Sequence, residues 1–307
     1  MRSSITRRLM KNNAVDRNGA SLISIAQGRF LMGSQDHYPE ESPVRWEEVA
    51  GFAMHATPVT NAMFAAFIAD TGYVTQAERC LAPEDYPGVA LDMLQPASLV
   101  FMPSESPVKL DDVSRWWSLV PGADWRHPLG PDSNLQGLEQ HPVVHVGLED
   151  AQAYAHWAGC QLPTEEEWEF AAWGGQTGSE FVWGDQLVPD GRHMANIWQG
   201  DFPWRNLALD GYDRTSPVGT FPANGYGLLD MIGNVWEWTT TSFSKGEQGN
   251  GKPSCCASSG GEKELMVLKG GSHLCAPDYC QRYRAPARSP QAKDTTSSHI
   301  GFRCIRR

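Results

Sequence analysis

Apolar residues recur at helical spacing in three segments of the chain, residues 60–72, 149–159 and 164–174. In each segment, apolar side chains three and four positions apart share one face. The third segment has the clearest start, because Thr164 and Glu167 form a capping box ahead of the apolar positions and glycines follow them. The pattern therefore predicts three short amphipathic helices that act as scaffold.

Strand-like segments are shorter, with alternating polarity or many β-branched residues. Residues 22–25 and 29–32 flank Gln27-Gly28, which predicts a β-hairpin. Three further segments, residues 143–146, 266–268 and 301–304, are also predicted as strands. Residues 81–114, rich in proline and acidic residues, and residues 244–264, rich in glycine, serine and lysine, are predicted as loops.

The chain of 307 residues contains 12 Trp, 30 Gly and 21 Pro, so its regular elements are interrupted often. Tryptophan side chains would then supply much of the buried area. No internal repeat or flexible linker divides the sequence. We therefore expect an α+β fold of low regular secondary structure, with a flexible N-terminal extension (residues 1–20) followed by one compact domain (residues 21–307).

The net charge of −11 argues against binding to nucleic acid or to anionic lipid, since both require a basic surface. No apolar run approaches the roughly 18 residues of a membrane helix, and the basic N-terminus lacks the apolar region of a secretion signal. The seven cysteines are an odd number in a chain of this size, which argues against a disulfide framework. We expect a cytoplasmic protein with reduced thiols.

Cys275 and Cys280 are the strongest candidates for chemistry. Pro277 lies between them, so they belong to a loop that can turn both sulfurs inward rather than to one helical face. Two buried cysteines or a local disulfide would be the ordinary interpretation of this spacing. A zinc site is less favoured, because no second Cys or His pair completes four ligands. Two thiolates alone would suit Cu(I).

The segment GGSHLCAPDYCQRYR (270–284) closely resembles the active-site strand and loop of the formylglycine-generating enzymes, also called sulfatase-modifying factors. Seven further blocks resemble family signatures and occur in family order: WRHPLGPD (125–132), HPVVHV (141–146), LPTEEEWE (162–169), ANIWQG (195–200), NGYGL (224–228), GNVWEW (233–238) and GFRC (301–304). The resemblance implies the formylglycine-generating-enzyme fold, which is C-type-lectin-like.

The resemblance also implies an activity, which is the O2-dependent oxidation of the cysteine in a Cys-x-Pro-x-Arg segment of a sulfatase to Cα-formylglycine. Cys275 and Cys280 would hold Cu(I), with the substrate thiolate as a third sulfur ligand. Ser272 and Tyr279 match positions that line the oxygen pocket, and Trp236 matches the indole beside the copper. Five residues are predicted to contact the substrate or its cleft: Trp116, Trp117, Arg284, Arg288 and His299. A monomer is expected.

Calcium is the second metal that the resemblance implies. One predicted site comprises Asn196, the Ile197 carbonyl, Asp210 and the Tyr212 carbonyl; the other comprises Asp230, the Gly233 and Val235 carbonyls and Glu237. Carboxylate, amide and carbonyl oxygens are the ligands that a hard cation prefers. Without the resemblance, both segments would be interpreted as surface turns.

The chain departs from the family pattern at several positions. Ala276 stands where many members have His, which removes any proton-handling role of that residue. Cys304 matches a disulfide partner in extracellular members, but its mate position is Ala155, so no bridge is expected. Four other cysteines have no catalytic assignment: Cys80, Cys160, Cys255 and Cys256.

Two other functions stay open. The chain could be a non-catalytic family member that binds unfolded sulfatase-like peptides, although such a protein should lack one of the loop cysteines. It could instead be a mononuclear iron sulfoxide synthase of related fold. Those enzymes depend on His-x-x-x-His-x-Glu, whereas His141 and His145 are followed by Val146, Gly147 and Leu148. This His pair is expected to pack in the core or in a cleft wall.

Overall fold

The computed structural model describes residues 14–80, 83, 88, 90, 94–243 and 264–307. Its three α-helices within these ranges are α1 (Asn61–Thr71), α2 (Leu148–Trp157) and α3 (Glu165–Trp173). Thr60 and Thr164 cap α1 and α3 with their side chains. Gly72 and Gly174 end the same helices in the left-handed conformation, which an L side chain rarely adopts. The three predicted helices are confirmed.

The strands in the described residues are short and belong to several sheets. They are β1 (Ala14–Val15), β2 (Ser21–Ile25), β3 (Gly28–Met32), β4 (Arg45–Val49), β5 (Phe52–His55), β6 (Ala97–Phe101), β7 (Trp117–Pro121), β8 (Gly200–Asp201), β9 (Arg205–Asn206), β10 (Trp236–Ser242), β11 (Leu265–Lys269), β12 (Arg288–Ala292), β13 (Ile300–Gly301) and β14 (Ile305–Arg306). Two four-stranded sheets have the orders β1-β2-β5-β14 and β12-β11-β10-β13. The pairs β3-β4, β6-β7 and β8-β9 form two-stranded ribbons.

The core lies between α3, the β10-β11 sheet and the face of α1. Trp168 on α3 and Trp236 and Trp238 on β10 are fully buried, and the central segment of β11 is apolar without alternation. A strand covered on both faces has this composition. A smaller aromatic cluster, separate from the main core, comprises Phe101, Trp116, Trp198, Phe202, Leu274 and Ala276. The expected contribution of tryptophan to the buried area is confirmed.

Three strand predictions differ from the structure. The predicted hairpin is wrong, because β2 pairs with β1 and β5 while β3 pairs with β4. The two residues between β2 and β3 carry the chain from one sheet to another instead of reversing it. Residues 143–146 do not form a strand, because His145 has φ 61°, which breaks an extended backbone. Of residues 301–304, only Gly301 belongs to a strand, β13.

The predicted loop over residues 81–114 contains β6, which pairs with β7 in an antiparallel ribbon. The predicted loop over residues 244–264 lies outside the described residues except for Glu264. The predicted N-terminal extension differs from the structure at its end, because β1 pairs with β2 and Asp16 is buried. Among the described helices, none has the length and apolar character needed to cross a bilayer.

Candidate active site

Cys275 and Cys280 meet in a tight turn that follows β11. The Cys280 N–H donates to the Ala276 carbonyl at 2.9 Å, and the Cys275 N–H donates to the Ser272 carbonyl at 2.9 Å. These bonds turn both thiols inward, where their Sγ atoms lie 3.3 Å apart. Each cysteine is 1% exposed. At this separation the two sulfurs are in contact but not bridged, since a disulfide requires about 2.05 Å, and the loop brings them together as predicted.

A narrow pocket lies beside Cys275, with a cavity volume of about 10 Å³. Its walls are Trp116, Trp117, Phe202, Trp236, Ser272, Leu274, Cys275, Tyr279 and His299. Six of the residues predicted for catalysis or substrate contact therefore line one cavity together with a cysteine of the pair. The volume is roughly that of one water-sized molecule. The arrangement offers a narrow, mainly aromatic chamber next to a thiol.

The aromatic walls are held by ring contacts. Tyr279 stacks on Phe202 with a centroid separation of 4.6 Å and an interplanar angle of 3°. Trp116 meets the edge of both rings at 5.6 Å. Trp117 packs against His299 at 4.6 Å, and the Ser297 hydroxyl lies 2.8 Å from His299 Nδ1. These ring contacts fix the shape of the pocket.

Residues 38–41, which precede β4, contact the outer side of the cysteine turn. Glu40 pairs with Arg282 at 2.5 Å, and Arg282 Nη1 lies 3.8 Å from Cys280 Sγ. The Tyr38 hydroxyl accepts the Gln281 N–H at 3.1 Å, and the Arg282 guanidinium stacks over the Tyr38 ring at 3.8 Å. Burial raises the pKa of Tyr38, which keeps this hydroxyl neutral. A positive group beside the thiol favours the thiolate that metals bind.

Arg284 is buried and forms a bidentate ion pair with Glu41, with N–O distances of 2.6 and 2.9 Å. It also donates to the Gln281 carbonyl at 3.2 Å. The guanidinium thus connects the cysteine loop, through Gln281, to Glu41 in the segment preceding β4. Its backbone borders a broad groove on that side, which also includes Trp46 and Trp173. Substrate contact by Arg284 stays a prediction.

Arg288 is held in a similar way. It pairs with Glu165 at 2.9 Å and donates to the Glu40 carbonyl at 3.2 Å. Lys269, fully buried at the end of β11, pairs with Glu169 at 2.8 Å and lies 3.6 Å from Glu165. These buried pairs tie α3 to the strands on either side of the cysteine loop. The structure gives Arg288 a positioning role, and its predicted substrate contact also stays a prediction.

The first predicted calcium set converges around a buried amide. Asn196 Oδ1 is buried and has no hydrogen-bond partner among the described residues. Asp210 Oδ2 lies 2.7 Å from Gln199 Nε2, and the same amide contacts the Ile197 carbonyl oxygen. Asp210 Oδ1 accepts the Tyr212 N–H at 3.0 Å. An unpaired amide oxygen beside a carboxylate and a carbonyl is a donor set that fits a hard cation.

In the second predicted calcium set, side chains of the protein already bind the Glu237 carboxylate. The Glu237 carboxylate accepts hydrogen bonds from Arg303 at 2.7 to 3.0 Å and from the Trp168 indole at 2.7 Å. Asp230 accepts the Gly219 N–H at 2.6 Å, and burial raises its pKa to about 6. The remaining two positions, Gly233 and Val235, lie in the buried turn before β10. Glu237 is therefore already engaged by Arg303 and Trp168, whereas Asn196 Oδ1 of the first set has no hydrogen-bond partner among the described residues.

The Gly233-Asn234 turn connects the first calcium set to the cysteine loop. A Cβ at Gly233 would lie 2.3 Å from the Asn196 carbonyl oxygen, so only glycine allows this approach. The Asn234 N–H donates to that oxygen at 2.8 Å, and the Asn234 carbonyl accepts both the His273 N–H and a ring nitrogen of His273. Burial lowers the pKa of His273 to about 3, so the imidazole is neutral.

The histidine pair His141 and His145 does not form a metal site in the described residues. His145 is fully buried; its Nε2 lies 2.9 Å from the Pro128 carbonyl and its Nδ1 lies 2.7 Å from the Ser98 hydroxyl. His141 Nδ1 lies 3.0 Å from the Thr215 hydroxyl. The predicted packing role is confirmed, and no carboxylate completes an iron-binding triad at this position.

Sequence reasoning did not identify Tyr38, Glu40, Glu41, Gln199 or Arg282 as part of the site. Their signal was weak, because an acidic turn followed by proline is common on protein surfaces. The remaining cysteines have varied surroundings: Cys80 is exposed, Cys160 and Cys304 are buried and free, and Cys255 and Cys256 lie outside the described residues. The absence of a bridge at Cys304 is confirmed.

Comparison with known proteins assigns the chain to a family. Residues 6–307 match the profile of the sulfatase-modifying factor enzyme 1-like domain. A formylglycine-generating enzyme of Mycobacterium tuberculosis is 53% identical over 290 residues, covering 92% of this chain and 97% of that protein. A formylglycine-generating enzyme of Mus musculus is 42% identical over 290 residues, covering 92% and 74%.

One relative and one solved structure complete the comparison. A Mus musculus protein named inactive C-alpha-formylglycine-generating enzyme 2 is 37% identical over 292 residues, covering 92% of this chain and 85% of that protein. The structure of PvdO from Pseudomonas aeruginosa aligns with a TM-score of 0.61 at 25% identity, covering 94% and 95% of the two chains. The predicted fold class is confirmed, and the chain belongs to the sulfatase-modifying factor enzyme 1-like family.

Proposed function

We propose that this protein oxidises the cysteine of a Cys-x-Pro-x-Arg segment in a sulfatase polypeptide to Cα-formylglycine, with O2 as the oxidant and Cu(I) as the metal. The observation that carries the proposal is the buried pair of Cys275 and Cys280, whose sulfurs lie 3.3 Å apart beside an aromatic pocket. The family description and the names of the relatives support a sulfatase substrate and a formylglycine product.

The donor set at the cysteine pair fits Cu(I). Cys275 and Cys280 would hold the ion, because a pair of thiolates selects a soft, low-coordinate metal. In the described residues, no cluster of three or more His, Cys, Asp or Glu ligands includes this pair. Copper, when bound, would supply the electron transfer to O2 that removal of a hydrogen from the substrate Cβ requires.

The protein's own residues prepare the space in which the reaction occurs. Only Cys275 of the pair lines the pocket, so this thiol faces the chamber while Cys280 faces Arg282. The indole N–H groups of Trp116 and Trp236 are buried without a hydrogen-bond partner among the described residues. They are therefore available to donate to a small oxygen-containing molecule. The small size of the chamber limits the number of water molecules that can reach the thiol.

The polypeptide substrate would approach from the outer face of the cysteine turn. Pro277, Asp278 and Gln281 are exposed there, and Tyr279 is half-buried at the boundary between surface and pocket. Asp278 adds a carboxylate to this face, and its Oδ2 accepts the Phe202 N–H at 3.2 Å. An acidic surface complements the arginine of the proposed substrate motif.

The inactive relative raises the alternative of a binding protein without catalysis. Retention of both thiols, brought into contact by the turn, favours catalysis, because peptide binding alone would require neither sulfur. The two functions predict different outcomes in one assay. A binding protein would retain the Cys-x-Pro-x-Arg peptide but leave its mass unchanged.

The test is turnover of a synthetic Cys-x-Pro-x-Arg peptide by the Cu(I)-loaded full chain under air. We expect aldehyde formation, detected by the mass change and by oxime capture. Cys275→Ser and Cys280→Ser should each abolish conversion, whereas Cys80→Ser removes an exposed thiol and should retain it. Full conversion in either loop variant, or in the presence of a tight Cu(I) chelator, would refute the copper mechanism.

We also propose calcium at the Asn196 set, where an ion would satisfy the buried amide oxygen. Calcium bound only to the folded state raises the melting temperature with its concentration. Removing calcium with a selective chelator should therefore lower the melting temperature, and Asp210→Asn should abolish this response. The matched control is Asp213→Asn, a neighbouring acidic residue outside the set. A calcium response that persists unchanged in Asp210→Asn would contradict the assignment.

A further inference from the structure

A second cluster of metal-ligating side chains lies far from the cysteine loop. It comprises Asp16 after β1, His55 at the end of β5 and Cys160 after α2, and we call it the N-terminal cluster. One ligand atom from each residue lies within 4.8 Å of the others, and all three side chains are buried. Among the described residues, no other group of three or more such ligands meets in this way.

Hydrogen bonding does not satisfy the polar atoms of the cluster. Asp16 Oδ1 accepts the N–H groups of Asn18 and Ala20, each at 2.8 Å. Asp16 Oδ2 lies 3.1 Å from His55 Nε2, but the two are not aligned for a hydrogen bond. Oδ2 and both imidazole nitrogens are therefore buried without a hydrogen-bond partner in the described part of the chain. Oδ2 and Nε2 meet only in this carboxylate–imidazole contact, and polar atoms buried together without hydrogen bonds are rare in native proteins.

The charges of the cluster suit a divalent cation. A carboxylate, a thiolate and a neutral imidazole carry two negative charges, so a dication would leave the buried site neutral. Burial raises the pKa of the Asp16 carboxyl, but His55 and two backbone N–H groups outweigh it and leave the pKa below its usual value. Burial raises the pKa of the Cys160 thiol, while the Arg306 guanidinium beside it acts in the opposite direction. A bound dication would complete the deprotonation of this thiol.

The donor types and their spacing match zinc. Zinc takes Cys sulfur, His nitrogen and Asp oxygen in a tetrahedron, in which ligand atoms lie roughly 3.3 to 3.8 Å apart. The separation of 3.1 Å between Asp16 Oδ2 and His55 Nε2 and the limit of 4.8 Å for the whole set agree with that spacing within small side-chain movements. Magnesium and calcium would not select a thiolate.

We propose that Asp16, His55 and Cys160 bind a structural zinc ion that ties the N-terminal edge strand β1 to the inner strand β5 and to the end of α2. The three ligands come from sequence-distant segments, so the ion would restrict the unfolded chain as a cross-link does. The N–H of Arg17 also donates to the Ala158 carbonyl at 3.2 Å, which places the N-terminal segment against the same turn. This proposal does not depend on the copper chemistry.

The test uses full-length protein carrying Cys275→Ser and Cys280→Ser, so that the loop sulfurs contribute no metal. We expect about one zinc ion per chain by elemental analysis. Protein produced with Co2+ instead should show the visible bands of tetrahedral cobalt and a thiolate-to-cobalt charge-transfer band. Adding Cys160→Ser should remove the charge-transfer band and the bound metal, whereas adding Cys80→Ser should leave both intact.

The protein that carries only Cys275→Ser and Cys280→Ser tests the proposal even if a variant of the N-terminal cluster does not fold. Folded protein that contains neither zinc nor cobalt above background would overturn the proposal, and the Asp16–His55 contact would then be an ion pair alone. A charge-transfer band that survives Cys160→Ser would overturn it as well. Zinc found only when Cys275 and Cys280 are present would place the metal in the loop and equally exclude the N-terminal cluster.

Discussion

The cysteine pair of the loop and the N-terminal cluster are both buried and both contain thiols, but they differ in donors and in access. Cys275 and Cys280 contribute sulfur alone and adjoin an aromatic pocket. The N-terminal cluster mixes oxygen, nitrogen and sulfur, and none of its residues lines the pocket beside Cys275. Sulfur donors beside a cavity are suited to reaction, whereas a buried set of oxygen, nitrogen and sulfur donors is suited to a structural ion.

The two regions are also supported in different ways. Buried ion pairs surround the cysteine loop, with Arg282 paired to Glu40, Arg284 to Glu41 and Lys269 to Glu169. The N-terminal cluster has one misaligned carboxylate–imidazole contact. The loop is therefore rigid without a metal, and its sulfurs are positioned in advance. The cluster lacks that support, which is why a structural ion would matter there.

The largest expected effect is on peptide conversion, which should fall in Cys280→Ser but not in Cys160→Ser. Cys280→Ser should lower peptide conversion by at least ~10³-fold, since loss of a metal ligand removes several kcal/mol of transition-state stabilisation. Cys160→Ser should instead lower the free energy of unfolding by about 2 kcal/mol through lost metal linkage and leave the rate per folded molecule unchanged. Conversion rates and urea unfolding of both variants check this. A loss of conversion in folded Cys160→Ser would erase the distinction between the regions.

The next largest effect is the loss of unfolding free energy when a buried ion pair beside the cysteine loop is broken. Glu41→Gln would leave the buried Arg284 guanidinium without its counter-charge, and breaking such a pair costs about 3–5 kcal/mol. Urea unfolding should show this loss. Lys293→Gln breaks an exposed pair with Glu264 and should change the free energy of unfolding by less than about 0.5 kcal/mol. Equal effects of the two substitutions would mean that the loop does not depend on its buried ion pairs.

Glycines in the left-handed conformation provide a matched test of how tightly the loop is packed. Gly271 has φ 71°, and a Cβ there would lie 2.5 Å from the Arg282 carbonyl oxygen and 3.3 Å from Cys275 Sγ. Gly137 has φ 79° with open space around it. Gly137→Ala should cost about 1 kcal/mol from the backbone alone, and Gly271→Ala about 3 kcal/mol because crowding adds to it. Thermal unfolding compares the two, and similar losses would show that the loop can relax.

Local patterns predicted the helices and the cysteine turn correctly, because their signals lie within a few residues of each other. Thr164 and Glu167 specify the start of α3, and the segment between Cys275 and Cys280 specifies its own turn. The sheet pairings could not be predicted in this way. β2 and β3 are separated by two residues, yet each pairs with a different partner, because the partners are set by tertiary packing.

The ion pairs that hold the cysteine loop could not be predicted from the sequence either. Glu40 and Glu41 lie more than two hundred residues from the arginines that they neutralise. Asp16, His55 and Cys160 share no spacing that a metal-site motif would show. Such sets become apparent only when the fold brings them together. Phe202 and Leu274 of the pocket were not predicted. Most of its other residues could be named in advance because the resemblance to a family supplied them, whereas physical reasoning from the residues alone led only to a pair of buried thiols.

The smallest expected effect is a change in how the free energy of unfolding depends on pH. It concerns His145, which is buried. Burial lowers its pKa from 6.5 to about 4 in the folded protein, although the Pro128 carbonyl and Asp124 oppose the shift, while His299 and Arg214 reinforce it. Above pH 6.5 the imidazole is neutral in both states, so its contribution to stability is fully present.

As the pH falls below 6.5, the unfolded chain binds a proton at this residue that the folded chain does not, and stability declines until the pH passes the folded pKa near 4. Between pH 7 and pH 5 this amounts to about 2 kcal/mol. His145→Asn tolerates the left-handed backbone at φ 61° and cannot titrate, so its unfolding free energy should depend less on pH by that amount. Urea unfolding at both pH values measures the difference. The exposed His156→Asn keeps the buried imidazole and should retain the wild-type slope, and an unchanged slope in His145→Asn would show that other groups govern the acid sensitivity.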